Sequence, residues 1–139
     1  MGKRRKSREL ASQFLYQISI TGTDSWEKLL DAFLGDQHAP PDVGKFTGRI
    51  VREVIAKRDK IDGVIATYAT NWDIKRIAMV DKNILRIAVC ELLYMDDIPP
   101  IVSINEAVDI AKKYGAVDSG KFVNGVLDKI RLELVKEKG

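Results

Sequence analysis

The hydrophobic pattern of the chain is densest between residues 81 and 95, where the sequence reads DKNILRIAVCELLYM. Apolar residues recur there at helical spacing on one face, and further apolar residues cover most of the opposite side. A helix that is apolar nearly all round must be enclosed by other elements, so this segment is predicted to be a central buried helix. Asp81 is placed to cap its start, and Pro99 and Pro100 prevent it from continuing.

Helical spacing of apolar residues also marks most of the remaining chain, and no segment alternates convincingly with a period of two. The other predicted helices cover residues 7–20, 24–35, a stretch from 43 to 70 that forms one helix or two, a short turn after Asp73, 103–115 and 118–134. The pattern therefore predicts an all-α fold, a compact bundle of about seven helices.

The starts of these helices carry residues that can cap free backbone amides. The candidates are Asp24 with Glu27, Ser103 with Glu106, and either Asp118 or Ser119. Gly125 falls in the middle of the last helix, where glycine is unfavourable, and this suggests a close approach of another helix.

Composition narrows the setting of the protein. A chain of 139 residues with 45% hydrophobic and 31% charged residues is typical of one globular domain. No apolar run approaches the ~20 residues that span a bilayer, so no membrane partner is expected. The single cysteine cannot form an internal disulfide, which suits a reducing compartment and predicts a cytoplasmic protein.

The residues that usually carry catalysis are nearly missing. His38 is the only histidine and Cys90 lies in the central helix, which argues against a metal site or a Cys/His pair. Residues 115–122 nearly spell a phosphate-binding loop, but Phe122 occupies the position that needs a hydroxyl group. We therefore expect no enzyme activity, no catalytic residue, no metal and no cofactor.

Basic residues crowd the start of the chain, although the net charge is only +3. The run consists of Lys3, Arg4, Arg5, Lys6 and Arg8. Tyr16 follows on the same helix stripe as Arg8, and cations combined with an aromatic ring suit single-stranded RNA. The alternatives are a solvated terminus and ordinary packing of Tyr16.

Phe122 is a second candidate for stacking on a base. It lies beside Lys121 in the first turn of the last helix, where free amides attract phosphate. The alternative is a phenylalanine that belongs to the core.

Several motifs of the chain resemble those of the NusB family of transcription antitermination factors. The resemblance lies in the basic first helix with Tyr16, in Leu85-Arg86, Ala88 and Glu91-Leu92, in Ile104-Asn105-Glu106-Ala107-Val108, and most specifically in residues 121–128, KFVNGVLD. It covers essentially the whole chain, although residues 22–72 match only as a pattern of helices.

The resemblance implies two small helical subdomains, residues 1–71 and 72–139, within a single RNA-binding domain. It also implies binding to boxA-type single-stranded RNA with ribosomal protein NusE, in an RNA polymerase elongation complex on ribosomal RNA operons. The RNA-facing residues would be Arg4, Arg5, Lys6, Arg8, Tyr16, Asp118, Lys121 and Phe122. NusE would dock near Asp81, which is expected to be exposed at the start of the central helix.

Two other readings of the sequence stay open. A related domain precedes the catalytic domain of certain RNA cytosine methyltransferases, so the chain could be a stand-alone RNA-binding domain of that type. A protein-only scaffold that forms homodimers is the other alternative.

Overall fold

The computed structural model describes residues 2–22, 24–69 and 76–135, and these form seven helices without a strand. The helices are α1 (Lys3–Thr21), α2 (Trp26–Asp36), α3 (Pro41–Ala56), α4 (Arg58–Tyr68), α5 (Met79–Tyr94), α6 (Pro100–Tyr114) and α7 (Ser119–Leu134). The all-α prediction is confirmed.

Helix α5 is the centre of the bundle. It packs against α1, α3, α4, α6 and α7, and every residue from Asn83 to Leu92 is buried. The prediction of a central buried helix, which rests on apolar residues around most of the helix, is confirmed. The charged residues at two of these positions are enclosed as well. The cap prediction is wrong, because α5 begins at Met79 and no side chain caps it.

Helix α1 begins at Lys3, four residues earlier than predicted, so the basic run is helical. Leu10, Ala11 and Phe14 are fully buried, and the helix packs against α3 and α5. It stops at Gly22, whose φ of 96° is favourable for glycine. The first helix is therefore part of the core.

The next segment settles the choice between one helix and two. Lys57, with φ −109° and ψ 13°, separates α3 from α4. The predicted capping box before α2 does not form, because Ser25 takes up a left-handed conformation there. Leu30 is the only buried residue of α2.

The last two helices depart from the prediction at their starts. Helix α6 begins at Pro100 instead of after Ser103, and no side chain caps α6 or α7. Gly125 is exposed, and a Cβ atom there would have no neighbour within 4 Å among the described residues. The predicted close helix approach at Gly125 is therefore wrong.

Buried apolar residues from both halves of the chain join in one cluster that includes Phe14, Ile50, Leu85 and Leu127. The predicted boundary near residue 71 and the predicted turn at Asp73 lie outside the described residues. The division into two subdomains stays a prediction.

Candidate nucleic-acid interface

The basic run of α1 divides into exposed and enclosed members because a helix turns its side chains in different directions. Arg4 and Lys6 are exposed, Arg5 is partly exposed and Arg8 is buried. The guanidinium of Arg4 lies 4.3 Å from the centroid of the Phe46 ring. Arg4 and Lys6 can therefore offer positive charge to a ligand at the surface.

Arg8 is instead the centre of a buried ion-pair network between α1, α5 and α6. Its Nε and Nη2 atoms each donate to one carboxylate oxygen of Glu91 at 2.8 Å, and Nη1 donates to Glu106 Oε1 at 3.2 Å. Only 3% of Arg8 is exposed. The expectation that Arg8 presents its charge at the surface is wrong, because two carboxylates from other helices hold the guanidinium in the interior.

The same network explains why the predicted capping box at Ser103 does not form. The Ser103 hydroxyl donates to Glu91 Oε1 at 2.8 Å, and the Glu106 carboxylate accepts from Arg5. Hydrogen bonds from Arg5 hold the pKa of Glu106 below its usual value. Arg5 also donates to Asp109 at 2.9 Å, so most of its donors face protein.

Tyr16 lies further along α1 and is 43% exposed. Arg8 pairs with Glu91, which is near the end of α5. Ser12, one turn further along α1, borders a cavity together with Ile84, which lies in the first half of α5. The two helices thus run in opposite directions, and Tyr16 comes one turn after Ser12, toward the start of α5.

Phe122 is half-buried near the same end of α5. It borders a mainly apolar cavity of about 230 Å³, with Ile77, Ala78 and Asp81 on one side and Asp118 and Ser119 on the other. Phe122 therefore lies beside the start of α5, and Tyr16 lies on the part of α1 that is directed toward that end, while α1 packs mainly against α3 and α5.

Asp81 differs from the expectation of an exposed carboxylate. Only 8% of the residue is exposed, and its Oδ2 atom accepts a hydrogen bond of 2.9 Å from the Ser119 hydroxyl. Its Oδ1 atom has no hydrogen-bond partner within the described residues. Ser119 accepts from the amide of Ala116 at 2.8 Å instead of capping α7.

Asp118 and Lys121 are exposed near the start of α7. Asp118 occupies the N-cap position, but its side chain makes no capping hydrogen bond. Asp118 is therefore available at the rim of the cavity that Phe122 borders, and Lys121 is available on the surface beside it in the sequence of α7.

The two side chains best suited to catalysis lie in different environments. His38 is exposed, and Cys90 is fully buried, where burial raises its pKa to about 12. Within residues 2–22, 24–69 and 76–135, no group of three His, Cys, Asp or Glu residues could hold a metal ion. None of the described helices has the length and apolar character needed to cross a membrane.

Sequence reasoning missed a second basic surface, on α3. Lys45, Arg49 and Arg52 lie at helical spacing and face a groove that also contains Lys3 and Arg4. The i, i+4, i+7 spacing was the signal in the sequence, but the acidic and apolar neighbours of these residues obscured it.

Exposed cations and the exposed ring of Tyr16 on an all-helical surface are features typical of helical proteins that bind nucleic acid. Residues 5–131 match the family model described as the NusB family. The "Transcription antitermination protein NusB" of Desulfatibacillum aliphaticivorans is 44% identical over 138 residues, which cover 99% of this chain and 96% of that protein. The chain belongs to the NusB family, and the curated relatives that it matches are transcription antitermination proteins.

Solved structures share this fold. The structure of T. maritima NusB has a TM-score of 0.87 and 37% identity, covering 96% of this chain and 93% of that one. A structure of the antitermination factors NusB and NusE in complex with dsRNA has a TM-score of 0.82 and 27% identity, covering 94% of this chain and 96% of that one.

Proposed function

We propose that this protein binds boxA-type single-stranded RNA together with ribosomal protein NusE, and that it acts in the cytoplasm within an RNA polymerase elongation complex on ribosomal RNA operons. The observation that carries the RNA proposal is the exposure of Arg4, Lys6 and Tyr16 on one helix. Cations supply affinity for phosphates, and an accessible ring supplies a surface on which an unpaired base can stack.

In this proposal the predicted RNA-facing residues have different tasks. Arg4, Lys6 and Lys121 contact phosphates, while Tyr16 and Phe122 stack on bases. Asp118 accepts a hydrogen bond from an exocyclic amino group of a base. Arg5 and Arg8 act as positioning residues, because their guanidinium groups bind carboxylates of α5 and α6.

The length of α1 determines the course of the bound strand. Arg4 and Tyr16 are twelve residues apart, which corresponds to ~18 Å along the helix axis. A strand that reaches both must follow α1 from its start toward the start of α5. The opposite directions of α1 and α5 support this course, because they bring Tyr16 toward the end of α5 at which Phe122 lies.

NusE is proposed as the protein partner because a structural relative is described as a complex of NusB with NusE. We place its contact near Asp81, whose Oδ1 atom can accept a hydrogen bond from a donor entering the cavity beside α7. Asp81→Ala removes this acceptor and should weaken NusE binding about tenfold or more, with circular dichroism melting to verify the fold. Unchanged NusE affinity of the folded variant would place the contact elsewhere.

Salt titration of RNA binding tests the proposed tasks. Arg4→Gln should lower the slope of log affinity against log salt concentration by about 0.7 for a lost contact to a single strand. Tyr16→Ala should instead cost ~1–3 kcal/mol with nearly the same slope. Lys28→Gln, on exposed α2 surface, serves as the matched charge control.

The same titrations also compare single-stranded with double-stranded RNA. Single-stranded RNA should bind more tightly than a duplex of the same sequence, because only unpaired bases can stack on Tyr16 and Phe122. Wild-type affinity of both Arg4→Gln and Tyr16→Ala at every salt concentration would contradict the proposed surface.

Light scattering of the free protein tests the homodimer predicted as an alternative.

A further inference from the structure

A groove of about 590 Å³ lies between the start of α1 and the exposed side of α3. Five cationic side chains and one carboxylate border it. They are Lys3, Arg4, Lys45, Arg49 and Arg52, with Asp42 as the carboxylate; Ser7 and Phe46 complete the lining. The groove is thus strongly positive, whereas the whole chain carries only +3.

Two of the five cations are partly neutralised by neighbours. Lys3 pairs with Asp42 at 2.8 Å, and Arg49 donates to the Asp97 carboxylate at 2.9 Å through Nη1. Hydrogen bonds from Arg49 lower the pKa of Asp97 to about 2, so this carboxylate remains charged at neutral pH.

The other three cations are not neutralised by an ion pair, although the charge of Arg4 is near enough to Asp97 to contribute to the lowered pKa of that carboxyl. Arg4, Lys45 and Arg52 are exposed, and none of them forms an ion pair with a carboxylate in the part of the chain that the structure describes. Lys45 and Arg52 are seven residues apart on α3, or ~10 Å along its axis. They therefore form a line of charge that an extended polyanion could follow.

The Phe46 ring holds the third charge in place. Arg4 lies with its guanidinium 4.3 Å from the centroid of this ring, which is itself 92% buried and therefore fixed. A guanidinium over an aromatic face keeps its N–H groups available at its edge for phosphate oxygens. Arg4 is thereby oriented for an anion before one binds.

We propose that this groove binds the phosphate backbone of the same RNA strand beyond the part held by α1 and α7, without reading its sequence. The inference rests on the proposed RNA binding. RNA fits better than an acidic protein surface because the groove is continuous with α1 through Lys3 and Arg4. The expected result is an affinity that grows with RNA length on one side of the boxA-type segment.

The test compares three RNAs: a short boxA-type strand, the same strand with a uridine tail at its 5′ end, and the same strand with that tail at its 3′ end. Each is titrated against wild-type protein and the double variant Lys45→Gln/Arg52→Gln over a range of salt concentrations. Lys28→Gln/Lys129→Gln removes the same charge from exposed positions on α2 and α7 and is the control. Circular dichroism melting verifies the fold of each variant.

One tailed RNA should bind wild type more tightly than the short strand, and the groove variant should lose that gain. The loss of two phosphate contacts should lower the slope of log affinity against log salt concentration by about 1.4. At 0.1 M salt this corresponds to about 25-fold weaker binding. The short strand should bind all three proteins nearly equally.

Equal binding of tailed and short RNA by wild type would overturn the inference while leaving the proposed function intact. An equal loss in the control variant would overturn it too, because net charge alone would then explain the effect. If wild type binds none of the RNAs, the proposed function fails and the groove proposal fails with it.

Discussion

Removal of the Glu91 carboxylate is the sharpest test of how the first helix is held. Glu91 is 1% exposed and accepts hydrogen bonds from the Arg8 guanidinium and the Ser103 hydroxyl. In Glu91→Ala, the carboxylate that still pairs with Arg8 among the described residues is that of Glu106, whose Oε1 lies 3.2 Å from Nη1. The variant thus leaves a guanidinium in the core with most of its donors unpaired.

The expected loss in the free energy of unfolding is a large part of the total stability of a domain. Breaking a buried ion pair by removing one partner costs ~3–5 kcal/mol, because the other charge stays buried. Domains of this size unfold with about 5–15 kcal/mol, so the variant should be weakly stable or unfolded at 37 °C. Asp128→Ala, at an exposed position of α7, should change the free energy of unfolding by less than ~0.5 kcal/mol.

Urea unfolding followed by circular dichroism measures the effect, and a double-mutant cycle assigns it. Arg8→Met/Glu91→Met removes both charges and should cost clearly less than the two single substitutions together, since neither partner is left unpaired. A loss below ~1 kcal/mol in Glu91→Ala, or additive losses in the cycle, would refute the view that this pair fixes α1 against α5.

Three further expectations follow from single residues. Gly125→Ala should raise the free energy of unfolding by about 0.5–1 kcal/mol, because the site is helical and open; a loss in urea unfolding would contradict this. Cys90 should react with thiol reagents at pH 8 only as fast as the protein unfolds, given its burial and raised pKa; a rapid colour change in native buffer would disprove it. The pKa of Asp97 is lower in the folded protein than unfolded, so the stability that it contributes is present above about pH 5 and lost as the pH falls toward 2. Asp97→Asn should remove that part of the acid dependence, and the effect should be small because the ion pair of Asp97 with Arg49 is exposed. An acid unfolding curve identical to that of wild type at low salt would show that the pair contributes nothing.

The fold was predictable from sequence because apolar periodicity reports directly which face of each helix is buried. The apolar circumference of α5 identified the centre of the bundle. The helix starts were less predictable, since Asp81, Ser103 and Ser119 have side chains suited to capping a local backbone amide. In the folded chain Ser119 binds Asp81, and Ser103 binds Glu91. These partners are distant in sequence, so local motifs could not reveal them.

The exposure of the candidate site residues was predictable only in part. Tyr16 and Lys121 are exposed, as a surface role requires. Arg8 is indistinguishable from its basic neighbours in the sequence, and only the packing of α1 against α5 and α6 shows that its charge is internal. The groove on α3 could not be predicted from the sequence, because its cations come from two helices that only the fold brings together.

The start of α1 has a practical consequence for experiments that truncate the protein. Deletion of residues 2–8 would remove the exposed Arg4 and Lys6, but it would also remove Ser7, whose hydroxyl donates to the backbone of Val43 at 3.1 Å, and the internal charge of Arg8. Loss of RNA binding in such a truncation would combine a missing ligand contact with a damaged scaffold. Point substitutions at Arg4 and Lys6 separate the two causes.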